Sequence, residues 1–421
     1  MSIDNIITPE IKLTPQDISY IDIKDNLVDA ETQNGKREKI QQEALRAVLL
    51  YDKSGLHISM GVGKTYIGIQ YLEILRQFAE LKVLVLAPKV SIFESWKNDL
   101  EKFNYTHLSE CITYSTYLSI NKHNPKSFNV VILDEAHNCK ENHEPFLEAF
   151  TGRILGLTGT PPRYTNTEKG RIMQKYYPIR YTYSVDEAVE NKILNDYRIN
   201  IIGIDLDRNL NLKVETKNKH FYTSEQKQYD WVTSEIQRLS IDMGPSAQKN
   251  LFYRRINRIN YLKQFQSKLK FCKNAIDNLI PKDEKCLIFA NTIEQADELC
   301  SHSYHSKNPK DINKEVLEKF NSGEVTRISA VEQLSEGITI KDLKHIIILH
   351  SYGNEKRASQ KIGRALRLSL GQTATVTILY YVETVDFAWV QSALEDFEET
   401  KMHWYKYSKS TNKITKDNPL N

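Results

Sequence analysis

Short apolar, β-branched runs alternate with amphipathic helical stretches in two separate parts of the chain. The first part predicts strands at Gly55–Ser59, Lys82–Ala87, Asn129–Leu133 and Arg153–Leu157. The second predicts them at Lys285–Ala290, Val325–Ala330, His345–Leu349 and Thr375–Tyr380, with helical patterns such as Ile293–Cys300 and Asn313–Phe320 between. Strands that alternate with helices in this way build parallel sheets, so the expected fold class is α/β with two tandem parallel-sheet domains. Each strand of the first set runs at once into a polar or glycine-containing loop. Open α/β sheets bind ligands at those carboxyl ends, so the motifs fall where a site belongs.

The stretch between the two parts, Arg163–Pro281, is more polar and rich in tyrosine. Thr223–Leu239 and Asn250–Leu279 read as helices, and Tyr181–Asp207 as the crossover into the second domain. The expected organisation is a lead at 1–35, a first domain at 36–194, a second at 195–400 with a helical insertion at about 207–280, and a basic tail at 401–421. Two similar α/β halves suggest duplication at the level of fold. The acid-rich start, and the tail that sets Lys401, Lys406, Lys409, Lys413 and Lys416 against Asp417, are expected to be solvated ends; the tail is also able to graze a phosphate backbone.

Composition narrows the class without deciding it. A chain of 421 residues has room for two domains that each bury a core. A net charge of +3 neither demands nor excludes a nucleic-acid partner, so local clustering has to carry that argument. The five cysteines form no CxxC pair, and an odd number suits a reducing compartment better than a disulfide framework. No basic-then-apolar leader opens the chain and no run approaches the roughly eighteen apolar residues of a membrane span. A soluble, cytoplasmic protein without membrane contact is expected, and the Lys-, Asn-, Ile- and Tyr-rich composition hints at a virus or phage.

The candidate chemistry begins at Met60–Thr65, which reads MGVGKT. Gly61 and Gly63 remove side chains where backbone amides of Met60, Val62 and their neighbours close around phosphate oxygens, and the helix that follows points its N-terminus at the same charge. Lys64 suits the β- and γ-phosphates and Thr65 the Mg²⁺ that accompanies ATP. Ile58 stands where the longer phosphate-loop pattern has glycine, so the match is to the short GxGKT form. Downstream, Val130–Leu133 runs into Asp134-Glu135-Ala136-His137. A surface pair is the ordinary reading of two adjacent acids; at the end of a buried strand after a phosphate loop, Asp134 is placed to hold Mg²⁺ through water and Glu135 to orient and deprotonate an attacking water. His137 is expected to couple this site to neighbouring loops. In Gln360–Arg367 (QKIGRALR), Arg364 and Arg367 share a helix face behind Gly363 and can stabilise charge on a transferring phosphoryl group.

These motifs in this order resemble the superfamily-two helicases and translocases over roughly residues 36–395. Val83–Pro88 (VLVLAP) with Trp96–Leu100 (WKNDL) is similar to motif Ia and its downstream tryptophan, Leu157–Pro161 (LTGTP) to motif III, Leu287–Ala290 with Thr292 to motif IV, and Ser335–Ile340 (SEGITI) to motif V. The resemblance implies two RecA-like domains with an ATP cleft between them, Gln360 with the two arginines as motif VI, Gly337 on the nucleotide side, and Gln41 contacting adenine, with Arg37 beside it. LTGTP with DEAH and the Trp96 segment is closest to Swi/Snf-type translocases, type III restriction motors and phage branch-migration helicases. Asp186–Leu194 resembles the restriction type and Thr223–Tyr229 the Swi/Snf type, so placement between them stays open. Thr339 stands where the common motif V has aspartate.

A nucleic-acid track is expected on two grounds. Phe252–Lys273 carries Arg254, Arg255, Arg258, Lys263, Lys268, Lys270 and Lys273 with no acid and with tyrosine and phenylalanine interleaved, so Arg254 and Arg258 are candidate phosphate contacts against the alternative of a merely solvated face. Lys89, Ser115, Thr116, Thr160 and Thr339 lie in loops that resemble the family's strand-tracking loops. The implied activity is an ATP-dependent DNA helicase or double-stranded DNA translocase, a nucleic-acid-dependent ATPase on duplex or branched DNA. The alternatives are an RNA-remodelling ATPase and a nucleotide-gated DNA-binding module that does not step. Replication or recombination proteins are the expected partners, and a monomer the expected state.

Overall fold

The computed structural model describes residues 11–15, 32–59, 61–162, 164–215, 220–242, 244–331, 340, 342–350, 372–395 and 397–417. They fall into two compact units, Met1–Asn195 and Asp196–Asn421. In the first, strands β1 (Lys53–Ile58), β2 (Val83–Ala87), β3 (Ile112–Thr116), β4 (Val130–Asp134), β5 (Arg153–Thr158) and β6 (Ile179–Tyr183) form one sheet in the order β3-β2-β4-β5-β1-β6, every pair parallel. β2, β4 and β5 are buried along their whole length. A strand covered on both faces reads as a near-continuous apolar run, which is why these three are legible in the sequence beside β1. Each buried Val, Ile or Leu contributes about 1.5–3 kcal/mol.

Arg153 breaks the apolar rule at the start of β5 and is 2% exposed. Its guanidinium donates to the Tyr71 hydroxyl (3.0 Å), to the carbonyls of Tyr51 (2.8 Å) and Ile11 (3.2 Å), and to that of Leu49. A cation is tolerated there because each of its three nitrogens meets an acceptor and Asp52 Oδ1 lies 3.6 Å from Nη1. Ile11 is thereby drawn into the core, whereas the whole acidic lead was expected to be solvated.

The second unit's sheet contains β7 (Tyr197–Ile204), β10 (Lys285–Ala290), β11 (Ser303–Tyr304), β12 (Arg327–Val331), β13 (Leu343–Ile348), β14 (Ala374–Tyr381), β15 (Met402–Ser408) and β16 (Lys413–Lys416), in the order β11-β12-β10-β13-β14-β7-β15-β16. All pairs are parallel except β15 with β16. The small separate ribbon of β8 (Leu212–Glu215) and β9 (His220–Thr223) completes the strands.

Two expectations are corrected here. The basic tail from Lys401 is not a solvated end: β15 pairs with β7, Trp404 packs on Tyr380 and Phe387, and Tyr407 packs on Phe271. Its lysines meet acids beside β7, Lys401 with Asp196 (2.9 Å), Lys406 with Asp205 (3.4 Å) and Lys409 with Asp207 (2.9 Å). Charge was legible in this segment; the aromatic residues on alternating strand positions decide its fate. Second, Asn250–Leu279 is not one helix but two, Pro245–Gln264 and Ser267–Asn278. The break is held by the buried Glu225 carboxylate, which accepts from the Gln266 and Ser267 backbone N–H groups (2.6 and 3.1 Å) and from the Ser267 hydroxyl. Ser267–Asn278 then belongs to the domain core through Leu269, Phe271, Cys272 and Ile276, not to an inserted appendage.

All five cysteines are free, and no described helix is long and apolar enough to cross a membrane. Replacing Arg153 with Met keeps the stem and removes every donor, leaving buried carbonyls unpaired. Urea unfolding is expected to show a loss of about 3 kcal/mol; a loss below about 1 kcal/mol would mean that water replaces the guanidinium.

Candidate active site

β1 ends at Ile58 and the helix Lys64–Arg76 begins after a loop whose glycines Gly61 and Gly63 have φ of 91° and 102°. The left-handed backbone favours glycine at Gly63, and a Cβ there would stand 2.7 Å from Gln41 Nε2 and displace that amide. No side chain caps the helix, which leaves its first N–H groups and the positive end of its dipole for an anion. Gln41, buried on the helix Gln33–Leu49, donates through Nε2 to the Val62 carbonyl (2.6 Å) and braces the loop from behind. One turn earlier, Arg37 buries its Nε without a hydrogen-bond partner among the described residues, and desolvation pulls its pKa below the usual arginine value. Lys64 Nζ lies 3.4 Å from the Ile58 carbonyl, folded back along the loop.

On the same edge of the sheet, two strands away from β1, β4 delivers Asp134. Its carboxylate is 5% exposed and held at both oxygens: the Trp96 indole N–H donates to Oδ2 (2.8 Å) and the Glu135 backbone N–H to Oδ1 (2.9 Å). A donor on each oxygen fixes the group in rotation. Trp96 is itself fully buried, and a Cβ on Gly68 would come within 2.7 Å of its ring, so the phosphate-loop helix can lie on the indole only with glycine there. Tyr117 donates to the Asp134 carbonyl (3.0 Å); burial first, then the neighbouring Cys139, Tyr177 and the two acids, push its phenol well above the ordinary value, so it stays a donor.

Glu135 follows with φ 49° and ψ 52°, a left-handed conformation that disfavours a residue with a side chain. Two donors from Asn138, its backbone N–H (2.9 Å) and its amide (3.0 Å), hold the Glu135 carbonyl in that turn. His137 Nδ1 sits 3.5 Å from Glu135 Oε2, 3.0 Å from Thr158 Oγ1 and 3.4 Å from Thr160 Oγ1. Thr158 Oγ1 accepts the Thr160 N–H (3.1 Å), so the imidazole joins the acid pair to the loop after β5. The ensemble has the parts of a metal-nucleotide site: an anion cradle, a cation, and an oriented carboxylate of the kind that holds a divalent ion or its waters.

Two family models match the chain: residues 35–163 match the type III restriction enzyme res subunit and residues 267–369 the helicase conserved C-terminal domain. The chain belongs to the superfamily-two helicases and translocases. A relative in this superfamily is the DNA 3'-5' translocase XPB2 of Sulfurisphaera tokodaii, 22% identical over 395 residues that cover 82% of this chain and 83% of that protein. The killer plasmid pGKL-2 helicase of Kluyveromyces lactis is 24% identical over 73% of this chain, which spans 56% of its length. Among solved structures, a fragment of a putative HsdR subunit of a type I restriction enzyme from Vibrio vulnificus shares the fold at a TM-score of 0.57, with 16% identity over 87% of this chain and 68% of that one.

In this superfamily-two chain, Gln41, Gly61, Val62, Gly63, Lys64, Thr65, Asp134 and Glu135 all lie at one end of the first sheet. Met60, Gly337, Thr339, Gln360, Arg364 and Arg367 lie outside the described residues. Of the strand-tracking candidates, Lys89 is exposed after β2, Thr160 sits beside His137, and Thr116 follows Ser115 at the end of β3. Ser115 is buried and bonded to His123 Nε2 (2.8 Å), which leaves its hydroxyl little exposed surface for a ligand. Arg254 stacks on Trp231 in the second unit. The sequence signal named Trp96 only as a family landmark; its grip on Asp134 needed the fold, since the residues are far apart in the chain.

Trp96→Phe keeps a ring in the core and deletes the N–H on Asp134 Oδ2. It is expected to raise the Mg²⁺ concentration that half-saturates ATP hydrolysis about tenfold with little change in melting temperature. An unchanged magnesium titration would show that Asp134 is oriented without it.

Proposed function

We propose that this superfamily-two chain is an ATP-dependent DNA motor, a helicase or double-stranded DNA translocase in which hydrolysis at the first sheet's edge drives movement along or remodelling of DNA. The observation that carries the reading is the fixed Asp134–Glu135 turn, at the same end of the sheet as the glycine cradle and joined through His137 to Thr158 and Thr160. An acid pair wired to a loop of the nucleic-acid-tracking type is what coupling requires; a nucleotide store would have no use for the wire. The XPB2 relative, named as a DNA translocase, supports DNA over RNA as the track.

In this proposal the cradle amides and Lys64 hold the β- and γ-phosphates, while Gln41, through its remaining amide oxygen, and Arg37 face the adenine side. Thr65 and Asp134 would hold Mg²⁺, which supplies charge neutralisation on the phosphates when bound. Glu135 positions the attacking water and takes its proton; Thr158 and Thr160 shift with His137 as that proton arrives. Gln360, Arg364 and Arg367 are assigned to the transferring phosphoryl group, and Gly337 to the nucleotide, on sequence grounds. Lys89, Thr116 and Thr160, with Thr339, are assigned to phosphates of the track, contacts without base specificity.

Glu135→Gln keeps shape and hydrogen bonding but removes the base. Steady-state hydrolysis is to be compared with no nucleic acid, single-stranded, duplex and forked DNA, and RNA. DNA should raise wild-type turnover, and the variant should lose about 10²–10⁴-fold while still binding nucleotide. Stimulation by RNA alone would make the chain an RNA-remodelling ATPase, and binding of DNA without stimulated turnover would make it a gated clamp.

A further inference from the structure

Between β7 and β10 the helices Glu225–Ser240 and Pro245–Gln264 pack as a hairpin. Ser224 caps the first helix by accepting the Lys227 N–H (3.2 Å), and its row Tyr229, Val232, Ile236 and Leu239 is buried. The base is rigid: the Glu225 carboxylate that breaks the second helix at Gln266 and Ser267 also accepts the Asp207 N–H (2.9 Å), clamping both ends of the hairpin to one group. The second helix is the unusual one. Of its 20 residues only Ala247 and Leu262 are buried, and it turns Phe252 (62% exposed), Tyr253 (52%) and Ile256 outward. Trp231 of the first helix is 48% exposed.

Large rings left in water on a clamped helix mark a surface that something covers. Charge identifies the class. Pro245–Gln264 carries Lys249, Arg254, Arg255, Arg258 and Lys263 and no acid. The Arg254 guanidinium lies 4.7 Å from the centre of the Trp231 ring and 3.9 Å from Glu235, so it presents a flat, half-neutralised cation beside the indole. Phe252 and Tyr253 meet edge to face at 6.0 Å, both exposed. Arg258, nine residues on from Lys249 and so on the opposite side of the helix, is half-buried and stands apart from this face. A duplex backbone asks for cations and has no bases to offer exposed rings; an apolar protein surface suits the rings but would bury a one-sign row of charge without partners. An unpaired strand uses both, its bases on the rings and its phosphates on the cations.

We propose that this hairpin face grips an unpaired DNA strand, with Phe252, Tyr253 and Trp231 stacking bases and Lys249 and Arg255 meeting phosphates. The assignment rests on the DNA-motor reading above and deepens it: the enzyme does not only follow a duplex, it holds a strand that has left one. The full chain and its Phe252→Ala/Tyr253→Ala double variant, both sites being exposed, are to be compared by fluorescence anisotropy on a labelled oligothymidylate and on a duplex of equal length. The variant should bind the single strand about tenfold more weakly with duplex affinity and unstimulated ATP hydrolysis unchanged. In parallel, the single strand should quench tryptophan emission in the wild type and less so in Trp231→Phe. Equal weakening on both DNAs would overturn the stacking assignment in favour of a backbone track, and unchanged single-strand affinity would overturn it in favour of a protein-docking face. Wild-type protein that binds neither DNA would defeat the motor reading itself.

Discussion

The hydrogen bond from the Trp96 indole to Asp134 is the constraint on which the first unit's site depends. It runs from the helix that follows β2 to the end of β4, so the indole must be buried between the sheet and the phosphate-loop helix, and Gly68 is there because nothing larger fits over the ring. Once Asp134 is held at both oxygens, the chain has to turn sharply at its own backbone amide. Glu135 accepts a left-handed conformation at that point, stabilised by Asn138. Strain of this kind persists only where the surroundings over-determine it, and here the surroundings are a buried strand, a buried indole and a phenol.

The same economy of polar groups organises the second unit. Lys268, fully buried, donates to the Leu349 carbonyl (3.1 Å), lies beside His350 Nδ1 (3.1 Å) and pairs with Asp386. Burial lowers the lysine's pKa and the aspartate opposes that shift. A buried pair of this sort is weak evidence for added stability and stronger evidence for register: it ties the helix Ser267–Asn278, the end of β13 and the start of the helix Val385–Leu394 into one arrangement. Glu225 does the equivalent work at the base of the helical hairpin. Two buried charges, each with its partners, thus set where this unit's non-sheet elements attach.

Much of the fold was legible because parallel strands covered on both faces leave uninterrupted apolar runs. β2, β4, β5 and β10 were visible for that reason, to within a residue or two at their ends. Several strands left no such run: β3 exposes Thr113, β6 alternates toward solvent, and β15 carries lysines among its aromatics, while β7 was read only as part of a crossover. The break at Phe265–Gln266 was equally hidden, because helical periodicity continues across it and only a carboxylate from far upstream competes for the backbone amides. The phosphate loop and the acid pair could be read directly, since glycine, lysine and paired acids at strand ends have few other uses.

By itself, then, the sequence determined the class of fold, the position of the anion cradle and the identity of the acids, all of which depend on local conformation and on residues adjacent in the chain. Tertiary structure alone decided how those acids are oriented, through Trp96, Tyr117 and Thr158, and that Gln41 braces the loop through Val62. It alone turned a basic tail into an edge of the sheet and a tyrosine-rich insertion into a clamped hairpin with rings facing water. The physical reason is the same in each case: a hydrogen bond or a ring contact between segments far apart in the chain leaves no periodicity in either segment, and it is set only when packing brings the two together.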